Sequence, residues 1–90
     1  MAKYEVAYSK HYKKDIKKIS KKDIEAIEKI IERLANNETL EPKYKDHALG
    51  GQLKGCRDCH IKPDLVLIYK KQENVLVLTC VRVGSHNELF

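Results

Sequence analysis

The sequence predicts an α+β fold in which an N-terminal strand precedes two α-helices, and the helices pack on one face of an antiparallel sheet. Apolar residues recur at helical spacing in the first half of the chain. The second half instead contains short apolar segments separated by turn residues. The 90 residues, of which 42% are hydrophobic and 34% charged, are typical of one globular domain spanning residues 1–90.

The first half of the chain contains one predicted strand and two predicted helices. Lys3–Tyr8 alternates and is rich in aromatic and β-branched residues, which predicts a strand. Ser9 can cap a short helix, and Ser20 can cap a longer one that ends at Asn36-Asn37, with Asp23 completing a capping-box pattern. The apolar stripes are Tyr12, Ile16 and Ile19 in the first helix and Ile24, Ile27, Ile30, Ile31 and Leu34 in the second.

The second half predicts a loop followed by three strands. Glu38–Gly51 has little periodicity, which indicates a loop. Strands are predicted over Leu53–Ile61, Asp64–Lys70 and Val75–Val83, and the short turns between them favour antiparallel hairpins. The tail Gly84–Phe90 is predicted to be irregular but docked, because it ends on two apolar residues.

The positive charge is concentrated in the first predicted helix and the turn after it. The formal net charge is +5, and seven lysines lie between Lys10 and Lys22 against one acid, Asp15. Such a concentration suits a polyanion such as RNA or an acidic protein partner, although a solvated helix face is an equally ordinary explanation.

The N-terminus and the cysteines indicate the compartment. Nothing in the first residues resembles a signal peptide, and the longest apolar runs, Leu65–Tyr69 and Val75–Leu78, are too short to cross a membrane. The three cysteines are expected to be reduced thiols, since their number is odd and no secretory signal precedes them. We therefore expect a cytoplasmic protein without a membrane partner.

The histidines are the first candidates for chemistry. His11 lies in the lysine-rich helix and is expected at the surface, whereas His47, His60 and His86 lie in a loop, at a strand end and in the tail. Alternate strand ends of a meander share one edge of the sheet, so these three side chains can converge.

Two local pairs accompany these histidines. His60 and Asp64 flank the turn Ile61-Lys62-Pro63, so the hairpin arms are expected to hold them nearly opposite each other, where a carboxylate would orient the imidazole. The alternative is that Asp64 only caps the turn. Arg82 and His86 point the same way if the chain between them is extended, although surface decoration also explains this spacing.

Metal-independent RNA cleavage requires this set of residue types. A base takes the proton of the ribose 2′-hydroxyl, which attacks the adjacent phosphate, and an acid protonates the departing 5′-oxygen. Histidine can serve as either group, and arginine offers a planar fork that stabilises the charge on the phosphoryl oxygens.

The segment Cys56-Arg57-Asp58-Cys59-His60 matches the pattern for covalent haem attachment. Haem attachment normally follows export, and the two cysteines point to opposite faces if the segment is a strand. A zinc site is disfavoured because there is no second cysteine pair. We therefore expect no metal and no cofactor.

Several separated motifs resemble one known family. The sequence reads YKDHAL at 44–49, LKGCRDCH at 53–60, PD at 63–64, LIY at 67–69 and VRVGSHNELF at 81–90. Together, in this order, they resemble the YafQ branch of the RelE-type bacterial toxins over nearly the whole chain. The resemblance implies a compact α+β ribonuclease that cleaves messenger RNA in the ribosomal A site and is inhibited by a cognate antitoxin.

The resemblance also implies roles for individual residues. His86 would be the general acid, and the base would be His47 or Asp64, with possible help from His60. Arg82 would bind the scissile phosphate and Phe90 would stack on a base. Lys54 and Arg57 would add phosphate contacts. The cysteines of the haem-like pattern are not part of the family signature, and Leu65 stands where some relatives carry an aromatic residue.

Two questions stay open at the level of sequence. A non-catalytic RNA- or ribosome-binding module of the same fold is the alternative to the enzyme, although all the candidate catalytic residues are present. The lysine-rich first helix could contact ribosomal RNA or an acidic antitoxin.

Overall fold

The computed structural model describes residues 3–90, which form three helices and a five-stranded sheet. In chain order the elements are β1 (Glu5–Tyr8), α1 (Lys10–Ile16), α2 (Lys21–Ala35), β2 (His47–Ala48), β3 (Arg57–Lys62), β4 (Leu65–Gln72), β5 (Val77–Gly84) and α3 (His86–Leu89). Two short 3₁₀ turns, Pro42–Tyr44 and Gly51–Leu53, interrupt the segment between α2 and β3. The α+β class predicted from the sequence is confirmed.

The sheet has the strand order β1-β5-β4-β3-β2. The strands β2, β3, β4 and β5 pair antiparallel with one another in that order, as expected for a meander. The strand β1 pairs parallel with β5, so the sheet is mixed rather than wholly antiparallel. Most of the chain separates β1 from β5, and a connection of that length permits a parallel pair where a hairpin does not.

The core lies between one face of the sheet and the helices. The α2 residues Ile27, Ile30 and Leu34 are buried and share one cluster with the sheet residues Leu67 and Leu78. Burial of an apolar side chain of this size stabilises a fold by about 1.5–3 kcal/mol. The helix α2 is therefore fixed to the sheet by its apolar stripe.

The serine cap and the asparagine end of α2 agree with the sequence signals, but Asp23 pairs with Lys62 instead of completing a capping box. The hydroxyl of Ser20 accepts the backbone N–H of Asp23, which satisfies a donor that the first turn leaves free. At the other end Asn37 adopts a left-handed φ of 64°, a conformation that asparagine tolerates better than most residues and that ends the helix.

Three of the differences from the sequence prediction have clear local reasons. The strand β3 begins at Arg57 rather than Leu53, because a 3₁₀ turn and the positive φ of Gly55 precede it. The strand β5 begins at Val77 because Leu76 has a φ of 54° in the preceding turn. The tail forms the one-turn helix α3, closed by a capping box between Ser85 and Glu88.

The three cysteines are free thiols. Burial raises the pKa of Cys59 and of Cys80 to about 12, so both are poor nucleophiles. Cys56 lies before β3 rather than in it, so the two cysteines of the haem-like pattern do not share the expected strand. None of the helices within residues 3–90 is both long enough and apolar enough to cross a membrane.

Candidate active site

One face of the sheet carries a row of candidate residues. His47 in β2 lies opposite Asp58 in β3, which lies opposite Ile68 in β4, which in turn lies opposite Arg82 in β5. Cross-strand partners project to the same face of a sheet, and the neighbours of Ile68 along β4 belong to the helix-facing core. The row therefore lies on the face turned away from the helices.

Asp58 is the buried centre of this row. Its exposure is 2%, and within residues 3–90 its Oδ1 atom accepts no hydrogen bond of good geometry. Burial raises the pKa of Asp58, and the charges of three histidines, His47, His60 and His86, act in the opposite direction. Of these three, His47 lies directly beside the carboxylate, and His60 lies on the same face two residues along β3.

The orientation of His47 follows from its neighbours. Its Nδ1 atom lies 2.6 Å from the backbone oxygen of Lys45 and 3.1 Å from Oδ1 of Asp58. Both atoms are acceptors, so Nδ1 carries the proton, which is directed at the Lys45 oxygen. The neutral ring then presents the lone pair of Nε2, and the side chain is 53% exposed. This is the tautomer that a general base needs.

His60 occupies the next row of the same face, opposite Val66. Its half-buried side chain also lines a pocket of about 430 Å³ whose other lining residues include Lys43, Lys45 and Lys62. A pocket with several cations at its lining suits a phosphate-bearing ligand.

Asp64 does not lie opposite His60 as the sequence analysis expected. The register pairs His60 with Val66 and Lys62 with Leu65, with an irregularity between His60 and Lys62, so Asp64 stays in the exposed turn. Neither a hydrogen bond nor an ion pair joins His60 to Asp64 in the described part of the chain. The expected pairing is therefore wrong, because a two-residue turn places Asp64 beyond the last paired residues.

Arg82 and His86 stand at the C-terminal end of β5. The guanidinium of Arg82 is paired with Asp15 of α1, and His86 is the first residue of α3. The rings of His86 and Phe90 pack with their centroids 4.8 Å apart and a tilt of 35°. Phe90 is half-exposed beside the histidine, so a planar group bound at His86 would meet the phenyl ring.

The remaining candidates lie outside the row. Lys54 is exposed after the second 3₁₀ turn. Arg57 alternates with Asp58 and so projects to the opposite face, where its Nε atom donates to Asp46. His11 is exposed on α1, as expected.

Sequence reasoning missed Asp58 as a site residue. A usable signal was present, since Asp58 and His60 are two residues apart in a strand and must share a face. The burial of Asp58 could not be read in this way. It depends on contacts with other strands, including the short strand β2 that carries His47.

The described residues provide no obvious metal cage. Within residues 3–90 no group of three or more histidine, cysteine or acidic side chains has the proximity to hold a metal ion. The chemistry that the arrangement itself supports is proton transfer by imidazoles beside a buried carboxylate, with an arginine on the same face.

Residues 4–90 match the family described as the bacterial toxin of type II toxin–antitoxin system, YafQ. The chain is 40% identical over 93 residues to the mRNA interferase toxin YafQ of Escherichia coli, covering 100% of this chain and 99% of the relative. It is 41% identical over 94 residues to a putative toxin YafQ of Haemophilus influenzae, covering 92% and 88% of the two chains.

Solved structures show the same likeness. The crystal structure of a metal-bound toxin from Helicobacter pylori superposes with a TM-score of 0.87 at 44% identity, covering 97% of this chain and 99% of that one. The E. coli DinJ–YafQ toxin–antitoxin complex contains a chain that superposes with a TM-score of 0.85 at 37% identity, with 98% of each chain covered.

Proposed function

From the premise that this chain belongs to the YafQ family of type II toxin–antitoxin toxins, we propose that it is a cytoplasmic endoribonuclease that cleaves messenger RNA on the ribosome. The family expected from the sequence motifs is confirmed. The relative in E. coli is named an mRNA interferase. The observation that supports the same activity here is the row in which His47 lies beside the buried Asp58, with Arg82 on the same face.

The geometry favours His47 as the general base. Its Nδ1 proton faces two acceptors, so Nε2 is free to take the proton of a ribose 2′-hydroxyl. The negative charge of Asp58 stabilises the imidazolium that results. Asp64 lies in the turn without this arrangement, so His47 is preferred over Asp64, with His60 as a neighbour that binds phosphate.

The other steps fall to the C-terminal end of β5. The 2′-oxygen forms a bond to phosphorus while the bond from phosphorus to the 5′-oxygen breaks, and His86 donates a proton to that departing oxygen. Arg82 stabilises the charge on the phosphoryl oxygens, and Phe90 stacks on a base beside the cleavage point. The products are a 2′,3′-cyclic phosphate and a 5′-hydroxyl, and this route needs no metal ion.

The proposed partners follow from the family and from charge. The solved complex of an E. coli relative contains the antitoxin DinJ, and we propose that a cognate antitoxin inhibits this chain. The net charge of +5 and the lysines of α1 suit ribosomal RNA as a second partner.

The direct test uses ribosomes programmed with a short message and the purified protein. The wild-type protein is expected to cleave the message and leave a cyclic phosphate, and a single 2′-deoxy substitution at the cleavage point is expected to block it. His47→Ala and His86→Ala are each expected to slow cleavage by about 10²–10⁴-fold, whereas His11→Ala, on the exposed face of α1, is the matched control.

Three results would contradict the proposal. Cleavage that persists on the 2′-deoxy message would exclude attack by the 2′-hydroxyl. Full activity of both histidine variants would exclude the assigned acid and base. Tight ribosome binding by a wild-type protein that leaves the message intact would favour a non-catalytic binding module.

A further inference from the structure

Asp15 is the one acid in the lysine-rich run between Lys10 and Lys22, and its contacts distinguish it from the side chains around it. All seven lysines of the run are exposed, on α1, just after it or at the start of α2. The Asp15 side chain, in contrast, is only 13% exposed and faces β5. The contacts of this partly buried carboxylate explain why the basic helix carries one acidic residue.

The carboxylate of Asp15 accepts a hydrogen bond from the backbone of β5. The strand β1 pairs with β5 only as far as Cys80, so the edge of β5 beyond that residue is covered by α1 instead. Along this edge the Val83 amide donates to Oδ2 of Asp15 over 3.2 Å. Burial alone would raise the pKa of Asp15, but the hydrogen bonds from Arg82 and Val83 hold it below its ordinary value.

The Asp15 carboxylate also forms a bidentate ion pair with Arg82. The Nε atom donates to Oδ2 over 3.1 Å, and Nη2 donates to Oδ1 over 2.9 Å. A bidentate pair of this kind fixes the plane of a guanidinium as well as its position. The Arg82 side chain stays 34% exposed, so the ion pair does not seal it from solvent.

A guanidinium has five N–H donors in a fixed fork. Two of them point at Asp15, so one N–H of Nη1 and one N–H of Nη2 remain side by side at the end of the guanidinium. That edge matches two oxygens of a phosphate. We propose that Asp15 is a positioning residue that orients Arg82 so that this open fork receives the scissile phosphate, a role that rests on the ribonuclease function proposed above.

The test is a double-mutant cycle on ribosomes programmed with a short message, with kcat and KM measured separately. Asp15→Asn keeps the size of the side chain but removes the paired charge. It is expected to lower kcat by about 10-fold or more with a smaller change in KM. The reason is that a misplaced Arg82 would stabilise the transition state less, while substrate binding would change little. In an Arg82→Ala background the same substitution is expected to have almost no further effect.

Two further measurements separate positioning from a general effect on folding. Glu41→Gln is the matched control, because it breaks another bidentate pair, from Arg33 to Glu41 at 2.8 and 2.9 Å, away from the site. It is expected to keep wild-type activity. The NMR signal of the Arg82 Nε–H should shift on Asp15→Asn but not on Glu41→Gln.

If Asp15→Asn does not fold, Arg82→Lys carries the test, since it keeps the charge beside Asp15 but has no open fork. It is expected to lose kcat by a similar factor, and a fully active Arg82→Lys variant would overturn the proposal. If Asp15→Asn lowers kcat by the same factor with and without Arg82, its role is purely structural and the proposal is wrong. If Asp15→Asn cleaves faster than the wild type, Asp15 masks Arg82, which also contradicts the proposal. A wild-type protein that leaves the message intact would instead overturn the proposed function.

Discussion

The buried carboxylate of Asp58 predicts a variant that is more stable and less active. Asp58 is 2% exposed and its Oδ1 atom lacks a hydrogen bond of good geometry within residues 3–90. A buried polar group left unsatisfied costs about 1–3 kcal/mol, and more when it is charged. Asp58→Asn removes the charge at nearly constant volume, so it is expected to raise the free energy of unfolding by about 1–3 kcal/mol near neutral pH.

The pH dependence gives this prediction its sign. Burial holds the pKa of Asp58 in the folded protein above the ordinary value of 3.8. Between the two pKa values the folded state binds more protons than the unfolded state, so wild-type stability falls as the pH rises through that window. The advantage of Asp58→Asn is therefore expected to be largest near neutral pH and to shrink as the pH falls through the folded pKa.

The assay is thermal and urea unfolding of both proteins from about pH 4 to about pH 8. A gain of 1 kcal/mol corresponds to a rise in Tm of about 4–8 °C for a chain of this size. Glu25→Gln, at an exposed position of α2, is the control and is expected to change stability by less than about 0.5 kcal/mol. RNA cleavage by Asp58→Asn is expected to fall by about 10²-fold, because His47 loses the charge that stabilises its protonated form.

A loss of stability in Asp58→Asn that is the same at every pH would refute this reasoning. It would mean that the ionised carboxylate is well paired in the folded protein, so that its burial is a net gain. Unchanged cleavage by a stabilised variant would leave the stability account intact and remove Asp58 from the chemistry.

Three further predictions concern the core, the basic helix and the metal requirement. Ile27→Ala is expected to destabilise the protein by about 2–5 kcal/mol in urea unfolding, and Ile24→Ala by less, because only Ile27 is fully buried. Reversing four lysines of the first helix region to Glu is expected to weaken ribosome binding at low salt and to flatten its salt dependence, and unchanged affinity would argue for an antitoxin contact instead. The four are Lys13, Lys14, Lys17 and Lys18. Cleavage is expected to survive phenanthroline, which removes transition metals but spares the magnesium of the ribosome, and its loss with rescue by a metal would contradict the side-chain mechanism.

The elements of the fold could be predicted because their signals are local. The stripe of α2, its serine cap and its asparagine end are all confirmed, since each depends on residues within a turn or two. The parallel pairing of β1 with β5 could not be predicted in this way. It joins residues about 70 positions apart, and periodicity carries no information on which distant edge a strand will choose.

The candidate site shows the same division. The histidines could be selected from their types and from the motifs around them, but their arrangement around Asp58 depends on register. The expected pairing of His60 with Asp64 assumed a regular hairpin. The register irregularity between His60 and Lys62 instead leaves Asp64 in the turn. The ion pair between Arg82 and Asp15 could not be predicted either, because the two residues lie 67 positions apart in the sequence.

Asp15 on α1 and Asp58 on β3 show how one residue type serves two purposes in the same domain. The backbone and Arg82 satisfy Asp15, so its pKa falls and it stays charged as a fixed anchor. Burial raises the pKa of Asp58, and only the charge of nearby histidines opposes that rise. The ionised form of Asp58 is therefore best stabilised when an imidazole beside it becomes protonated, which is the state that a general base reaches during the reaction. A carboxylate that weakens the resting fold but stabilises the protonated base is better explained by catalysis than by packing.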